Sequence, residues 1–271
     1  MGQLPEDCKR IFKEFVENAK KHLIECVLSN KERFPDNDKI INHYHDAVAG
    51  VCAHGDQRLR AFHEVHNELC TATAILEGTN EPKVTYLQYE PTITNCNKRF
   101  DFHVTMSDGT VKYIEVKTIH PTTQDDWEKY QCALKKQRFP KDTHLILDNE
   151  WLGGELYHNA YASRTKMMDY ALDLEKKIEA CLSDIFEKMV FLVLFTNGFH
   201  WHLDELEDFV FFYFNGFHFP GDHFSSMEKF VVKEKNIVFN KTIDCFSFIK
   251  RPKTELKPNR VIWNVIPPKI L

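Results

Sequence analysis

Residues 99–118 read Arg-Phe-Asp-Phe-His-Val-Thr-Met-Ser-Asp-Gly-Thr-Val-Lys-Tyr-Ile-Glu-Val-Lys-Thr, two alternating runs around a turn. The register of this stretch decides the fold. In Met106-Ser-Asp-Gly-Thr110, a glycine after Ser-Asp suits a three-residue hairpin loop with the glycine left-handed. That loop pairs Met106 with Thr110. Counting back puts Asp101 opposite Glu115 and Arg99 opposite Lys117. Cross-strand partners share a face, so these four side chains are expected on one side. A two-residue loop would pair Asp101 with Val116 and separate the carboxylates. Phe100, Phe102, Val104, Met106, Ile114 and Val116 are expected to form the core face. Arg99, Asp101, His103, Glu115 and Lys117 fall on the other.

The segment before the hairpin, Leu59–Leu76, carries neither glycine nor proline and reads as a helix. Ala61, Val65, Ala72 and Ile75 follow a helical stripe, and Glu68 interrupts it. A carboxylate on an apolar stripe is costly without a cation or a hydrogen-bond donor. Glu64 lies beside the stripe one turn earlier. The plainer alternative is a pair of solvated carboxylates on a helix face, and for Lys117 beside Glu115 a structural ion pair.

The pattern Asp101-x(13)-Glu115-x-Lys117, after a helix bearing Glu68 ahead of Leu69, Ala72 and Gly78, resembles the PD-(D/E)xK nuclease superfamily. The likeness covers roughly residues 60 to 135, and Glu115-Val-Lys-Thr118 is its most typical part. Phe100 departs from it, standing where that family often has proline. The resemblance implies an α/β fold with a restriction-endonuclease-like core: a mixed central sheet flanked by helices. It implies a metal-dependent nuclease hydrolysing phosphodiester bonds, in DNA ahead of RNA. Lys117, Glu68, Asp101 and Glu115 would be catalytic. Asp101, Glu115, the Val116 carbonyl and Glu68 would hold Mg²⁺ or Mn²⁺, with Glu64 the substitute for Glu68. Gln131, Arg99, Thr118 and His120 are candidates for contacting substrate. The alternative is a nuclease-like module without cleavage that binds nucleic acid or supports assembly.

Composition bounds these readings. The chain has 271 residues, 43% hydrophobic and 28% charged, with a net charge of −5. That is an ordinary globular protein rather than a fibrous or low-complexity one. The mild acidity argues weakly against a nucleic-acid partner, but phosphate contacts are local. Lys135, Lys136, Arg138 and Lys141 form one basic cluster, and Lys250, Arg251, Lys253, Lys257 and Arg260 form another. The eight cysteines include no CxxC pair, so reduced thiols and a cytoplasmic location are expected. The longest apolar run, Met189–Phe195, is too short to span a membrane. The expected partners are nucleic acid and a second copy of the chain.

A single α/β domain over 1–271 is expected: a helical extension (1–56), a nuclease-like core (57–200) and a C-terminal β-rich elaboration (201–271). Helices are predicted over 5–29, 39–53, 59–76, 125–138, 160–188 and 203–214. Strands are predicted at 84–89, the two hairpin arms, 143–147, 189–196, 230–232, 237–239 and 261–265, and a loop at 151–158. His63-Glu-Val-His66 raises a rival, a histidine-based zinc hydrolase, but HExH misses the HExxH spacing. His43-x-His45 and His200-x-His202 add to that rival. The phenylalanines at 209, 211, 212, 214, 217, 219 and 224 could stack bases; packing in a core is the simpler expectation.

Overall fold

The computed structural model describes residues 6–79, 81–93, 98–119, 155–181, 185, 188–196, 203–216, 238–250 and 263–265. At its centre is the hairpin. Strand β2 (Phe102–Met106) pairs antiparallel with β3 (Val111–Ile119), Phe102 opposite Ile114 and Thr105 opposite Val111. The loop has three residues. Gly109 N–H donates to the Met106 carbonyl at 3.0 Å, and Met106 N–H to the Thr110 carbonyl at 2.9 Å. Gly109 takes φ +83°, a conformation costly for residues with a Cβ. Asp108 Oδ1 also accepts from Thr110 N–H at 2.9 Å.

Strand β1 (Val84–Tyr89) completes an antiparallel meander with β2. Strand β4 (Met189–Thr196) lies parallel to β3, and β5 (Cys245–Lys250) parallel to β4. A short β6 (Trp263–Val265) closes the row antiparallel to β5. The result is a six-stranded mixed sheet in sequence order.

Helices cover both faces. On one side lie α1 (Glu6–Ala19), which runs through a π-helical segment (Lys20–Ile24) into α2 (Glu25–Ser29), then α3 (Asn37–His54) and α4 (Leu59–Leu76). They share a core with Phe102, Val104, Ile114, Val116, Val193 and Phe195. On the other side, α5 (Glu155–Ala180) and α6 (Leu203–Asn215) pack on Val190, Leu192, Leu194, Phe246 and Phe248. Strand β4 is therefore buried on both faces, which is why it reads as a continuous apolar run. Phe209 and Phe212 of α6 are core side chains.

Several expectations change. Phe100 does not share the face of Phe102; it joins the α5 core. The chain bends at Asp101, just before β2 begins, so the alternation that holds along the strand breaks there. The buried side of α4 centres on Phe62, His66, Leu69, Thr73 and Leu76 and takes in Cys70 and Ala72. Of the expected stripe, Ala72 is buried, Val65 and Ile75 pack against the core and Ala61 is exposed, so the centre lies one residue along. The aromatic rings of α1 and α3 set that rotation: Phe62 meets Phe12, Phe15 and Tyr44 at centroid distances of 5.0, 5.8 and 5.6 Å. Helix α5 begins at Glu155, so 155–158, expected as loop, is helical, and it ends before Lys188. Strand β5 was not anticipated, while Val238 and Phe239 lie outside any strand. The segment 201–271 thus adds strands to the central sheet itself. The expected helix 125–138 and strands 143–147 and 230–232 lie outside the described residues, as do most residues of both basic clusters.

Among the described residues, no helix is long and apolar enough to cross a membrane. Cys26, Cys52, Cys70 and Cys245 carry thiols outside any disulfide. Cys181 is disulfide-bonded, which corrects the expectation of uniformly reduced thiols.

Candidate active site

Where β3 leaves the hairpin, Glu115 and Lys117 project toward the α5 side, because Ile114 and Val116 between them fill the α4 core. Glu115 is buried, with 4% of its side chain exposed, and Lys117 Nζ lies 2.7 Å from its Oε1. Asp101 arrives from the bend before β2. Its Oδ2 accepts from Val116 N–H at 2.6 Å, and its own N–H donates to the Ile114 carbonyl at 3.1 Å. The carboxylate takes a β3 amide that a further β2 residue would otherwise bond, and the ladder stops there. Asp101 thus lies just beyond the last ladder pair, Phe102 with Ile114, its backbone tied to Ile114 and its carboxylate to Val116.

Glu68 reaches the same region from α4. Its Oε2 accepts from the Tyr89 hydroxyl at 2.6 Å. His43 Nδ1 lies 3.2 Å from that hydroxyl, so Tyr89 links α3 and β1 to the carboxylate. Glu64, the substitute, pairs instead with Arg60 at 3.5 Å and is 46% exposed. Glu68 is therefore the helix carboxylate that meets the cluster.

Burial dominates the electrostatics. It pushes the Glu68 carboxyl up to about 7, with Glu90 and Glu115 adding to the rise and Tyr89 and Lys117 opposing it. Burial, then the charges of Glu115 and Glu68, hold Asp101 well above the usual carboxylate range. Burial disfavours the charge on Lys117, but Glu115 and Asp101 outweigh it and raise its pKa.

A lysine that the hairpin motif does not contain completes the cluster. Lys177 of α5 places Nζ 2.6 Å from Glu115 Oε2, with 17% of its side chain exposed. It also donates to the Arg99 carbonyl at 2.6 Å and sits 5.1 Å from the centroid of the Phe100 ring. Both oxygens of Glu115 thus carry an ammonium. The signal was present but unread: Lys177 falls among the apolar positions Ala171, Leu174 and Ile178 of one helix, as Glu68 does on α4.

These groups open on a cleft of about 680 Å³ between α4, β3 and α5. Glu68, Glu115, Val116, Lys117 and Thr118 line it, and Arg60, Lys98 and Lys176 add positive charge. Thr118 lines the cleft with its polar groups engaged. Its hydroxyl accepts from Asn67 at 2.7 Å, and its carbonyl accepts from the Tyr170 hydroxyl at 3.3 Å, so its polar groups serve to tie β3 to both helices. Arg99 is not opposite Lys117 in a ladder; it is exposed, 4.0 Å from Glu90. Gln131 and His120 lie outside the described residues.

Three carboxylates, all oxygen donors, are the ligand type a hard divalent cation takes, together with carbonyl oxygens; the two ammoniums compete with it for Glu115. Asp101, Glu115, Glu68 and the Val116 carbonyl are the groups that would hold it. Among the described residues, no group of three or more His, Cys, Asp or Glu side chains is gathered closely enough to hold an ion. Of the histidines named for a zinc site, His66 is buried among Phe15, Tyr44 and Phe62, with ring centroids 4.8–5.9 Å away, and His200 and His202 lie outside the described residues. Comparisons with family models, curated proteins and solved structures found no match.

Proposed function

We propose that the chain is a metal-dependent nuclease with a restriction-endonuclease-like core, cleaving phosphodiester bonds in DNA. One observation carries the reading: Glu68 from a helix, and Glu115 and Lys117 from a strand, line one basic-rimmed cleft, and Asp101, from the bend before β2, is tied to Val116 between those two. A buried cluster of that composition is costly to maintain, and it has a use where a phosphate must be attacked. A bound Mg²⁺ or Mn²⁺ would supply an acidified water and neutralise the scissile phosphate.

The chain's own residues supply the rest. Asp101, tied to Val116 N–H, is fixed against β3. Tyr89 steers the Glu68 carboxylate. Lys117 Nζ, held by Glu115, offers a compact charge to the oxygens that gain negative charge in the transition state. It acts there as an ammonium and need not lose its proton. Arg60, Lys98 and Lys176 would receive the flanking phosphates.

A second reading has one observation in its favour. Because both oxygens of Glu115 already bind lysines, the cluster could be self-neutralised, leaving a nucleic-acid-binding or assembly module without cleavage. The test is incubation of the protein with single- and double-stranded DNA and RNA, in Mg²⁺, in Mn²⁺ and in EDTA. Cleavage that needs metal and is lost in Asp101→Ala and Lys117→Ala supports the nuclease. Binding without cleavage under every condition supports the module. Cleavage that survives Asp101→Ala shows that the site lies elsewhere.

A further inference from the structure

Glu115 Oε1 meets Lys117 and Oε2 meets Lys177, at 2.7 and 2.6 Å. The two lysines differ in what else they do. Lys117 issues from the same strand, two residues on, and borders the cleft. Lys177 comes from the crossover helix, and its ammonium bridges the carboxylate to the Arg99 carbonyl at 2.6 Å. A carboxylate oxygen occupied by an ammonium offers a weaker site to a divalent ion, since two cations on one carboxylate repel. We propose that Lys177 is a displaceable internal cation: it neutralises Glu115 in the metal-free protein and must leave Oε2 for the ion to bind. This rests on the reading of Glu115 as a metal ligand.

The geometry provides a way out. Lys177 borders the cleft, its ammonium sits on a flexible stem, and Asp173 stands one turn earlier on α5, where its Oδ1 holds Lys176 Nζ at 3.1 Å in an exposed ion pair that a second ammonium can share or exchange into. Positions i and i−4 on a helix are neighbours, so the displaced ammonium has a carboxylate within the same cleft. Leaving, it gives up the Arg99 carbonyl and the Phe100 ring. That loss is charged against ion binding, so Lys177 lowers metal affinity and acts as a positioning residue for Glu115 rather than a catalytic one.

The test is calorimetric titration of the full chain with Ca²⁺ and Mg²⁺, for wild type, Lys177→Met and Lys177→Arg. Met retains the apolar stem over Phe100 and removes the charge. It should bind the ion about tenfold more tightly, the scale of one charge-assisted hydrogen bond. Arg holds a carboxylate through a planar fork and should bind the ion more weakly than wild type. Pulsed amine acylation of the wild type, read by mass spectrometry, measures displacement directly. Lys177 labelling should rise several-fold on adding Ca²⁺. Unchanged or weaker binding by Lys177→Met, or Lys177 labelling indifferent to Ca²⁺, overturns the proposal while leaving the metal site intact. If neither wild type nor Lys177→Met binds either ion, the metal reading itself fails, and this inference with it.

Discussion

Strand β3 has two unlike faces. Ile114 and Val116 meet α4 in an apolar core shared with Phe102 and Val104, whereas Glu115 and Lys117 meet Lys177 of α5 across ion pairs. Both faces are covered by helices, and Glu115 is as inaccessible as Val116, at 3% and 5% exposed. Burial alone therefore does not separate framework from site. What separates them is compensation: on the first face nothing can answer a charge, and on the second each charge has a named partner. The difference also explains why the reactive groups cluster where the ladder between β2 and β3 ends. There a side chain, Asp101, takes over a backbone hydrogen bond, and the chain is free to bend.

The harshest way to break the contrast is to move the charge one residue along. Val116→Glu puts a carboxylate into the apolar core with no partner. It should cost about 5 kcal/mol, enough to abolish a cooperative urea transition. A normal transition would mean the α4 face accommodates charge. Next comes the chemistry. Asp101→Ala should reduce metal-dependent cleavage at least about a thousandfold, roughly 4 kcal/mol of transition-state stabilisation, while near-UV circular dichroism stays native. Lys117→Ala should reduce it comparably but keep the ion-induced rise in melting temperature.

A third test uses pH. Glu68 titrates near 4.5 when unfolded and at about 7 in the fold. Between those values the folded state holds the extra proton, so stability falls as pH rises toward 7 and is lowest above it. The metal-free protein should lose on the order of 3 kcal/mol from this group between pH 4.5 and 8. Glu68→Gln should be the more stable protein at pH 8 by about that amount, and saturating Mg²⁺ should narrow the gap. His103 works in the opposite direction: burial lowers its pKa, so acidification below about 6.5 destabilises through it. The comparison of wild type with Glu68→Gln removes His103 from the balance. Equal melting temperatures of the two proteins at pH 8 would show that Glu68 is better solvated than the fold implies. The smallest effect belongs to Tyr89→Phe, which deletes the hydroxyl that steers Glu68. It should cost about 1–2 kcal/mol of stability and make cleavage more sensitive to pH, checked by parallel melts and rate profiles.

The site was legible where its geometry is local. The register of β2 on β3 follows from Ser107-Asp108-Gly109, because a left-handed glycine settles the loop length; Asp101, beyond the last ladder pair, is placed by its hydrogen bond from Val116. Glu68 could be singled out because a carboxylate among apolar helix positions needs a partner, although the stripe itself was displaced by one residue. Lys177 was not found, since Glu115 lies 62 residues away in sequence and α5 carries other lysines with equal claims. Strand β5 was missed because Cys245–Lys250 lacks the clean alternation of a half-buried strand. Phe246 and Phe248 face one core and Ile249 the other.

By itself, then, the sequence determined the hairpin, the ends of α4 and β4, and the presence of paired carboxylates with a lysine, all consequences of periods and turns a few residues long. Tertiary structure alone decided which face of α4 is buried, which glutamate reaches Tyr89, and which lysine answers Glu115. Those outcomes depend on how rigid elements pack against one another. A helix rotated by one residue, about 100°, satisfies the same local pattern, and the rings of Phe12, Phe15 and Tyr44 against Phe62, with the bonds from Asn67 to Thr118 and from Tyr89 to Glu68, choose between the alternatives.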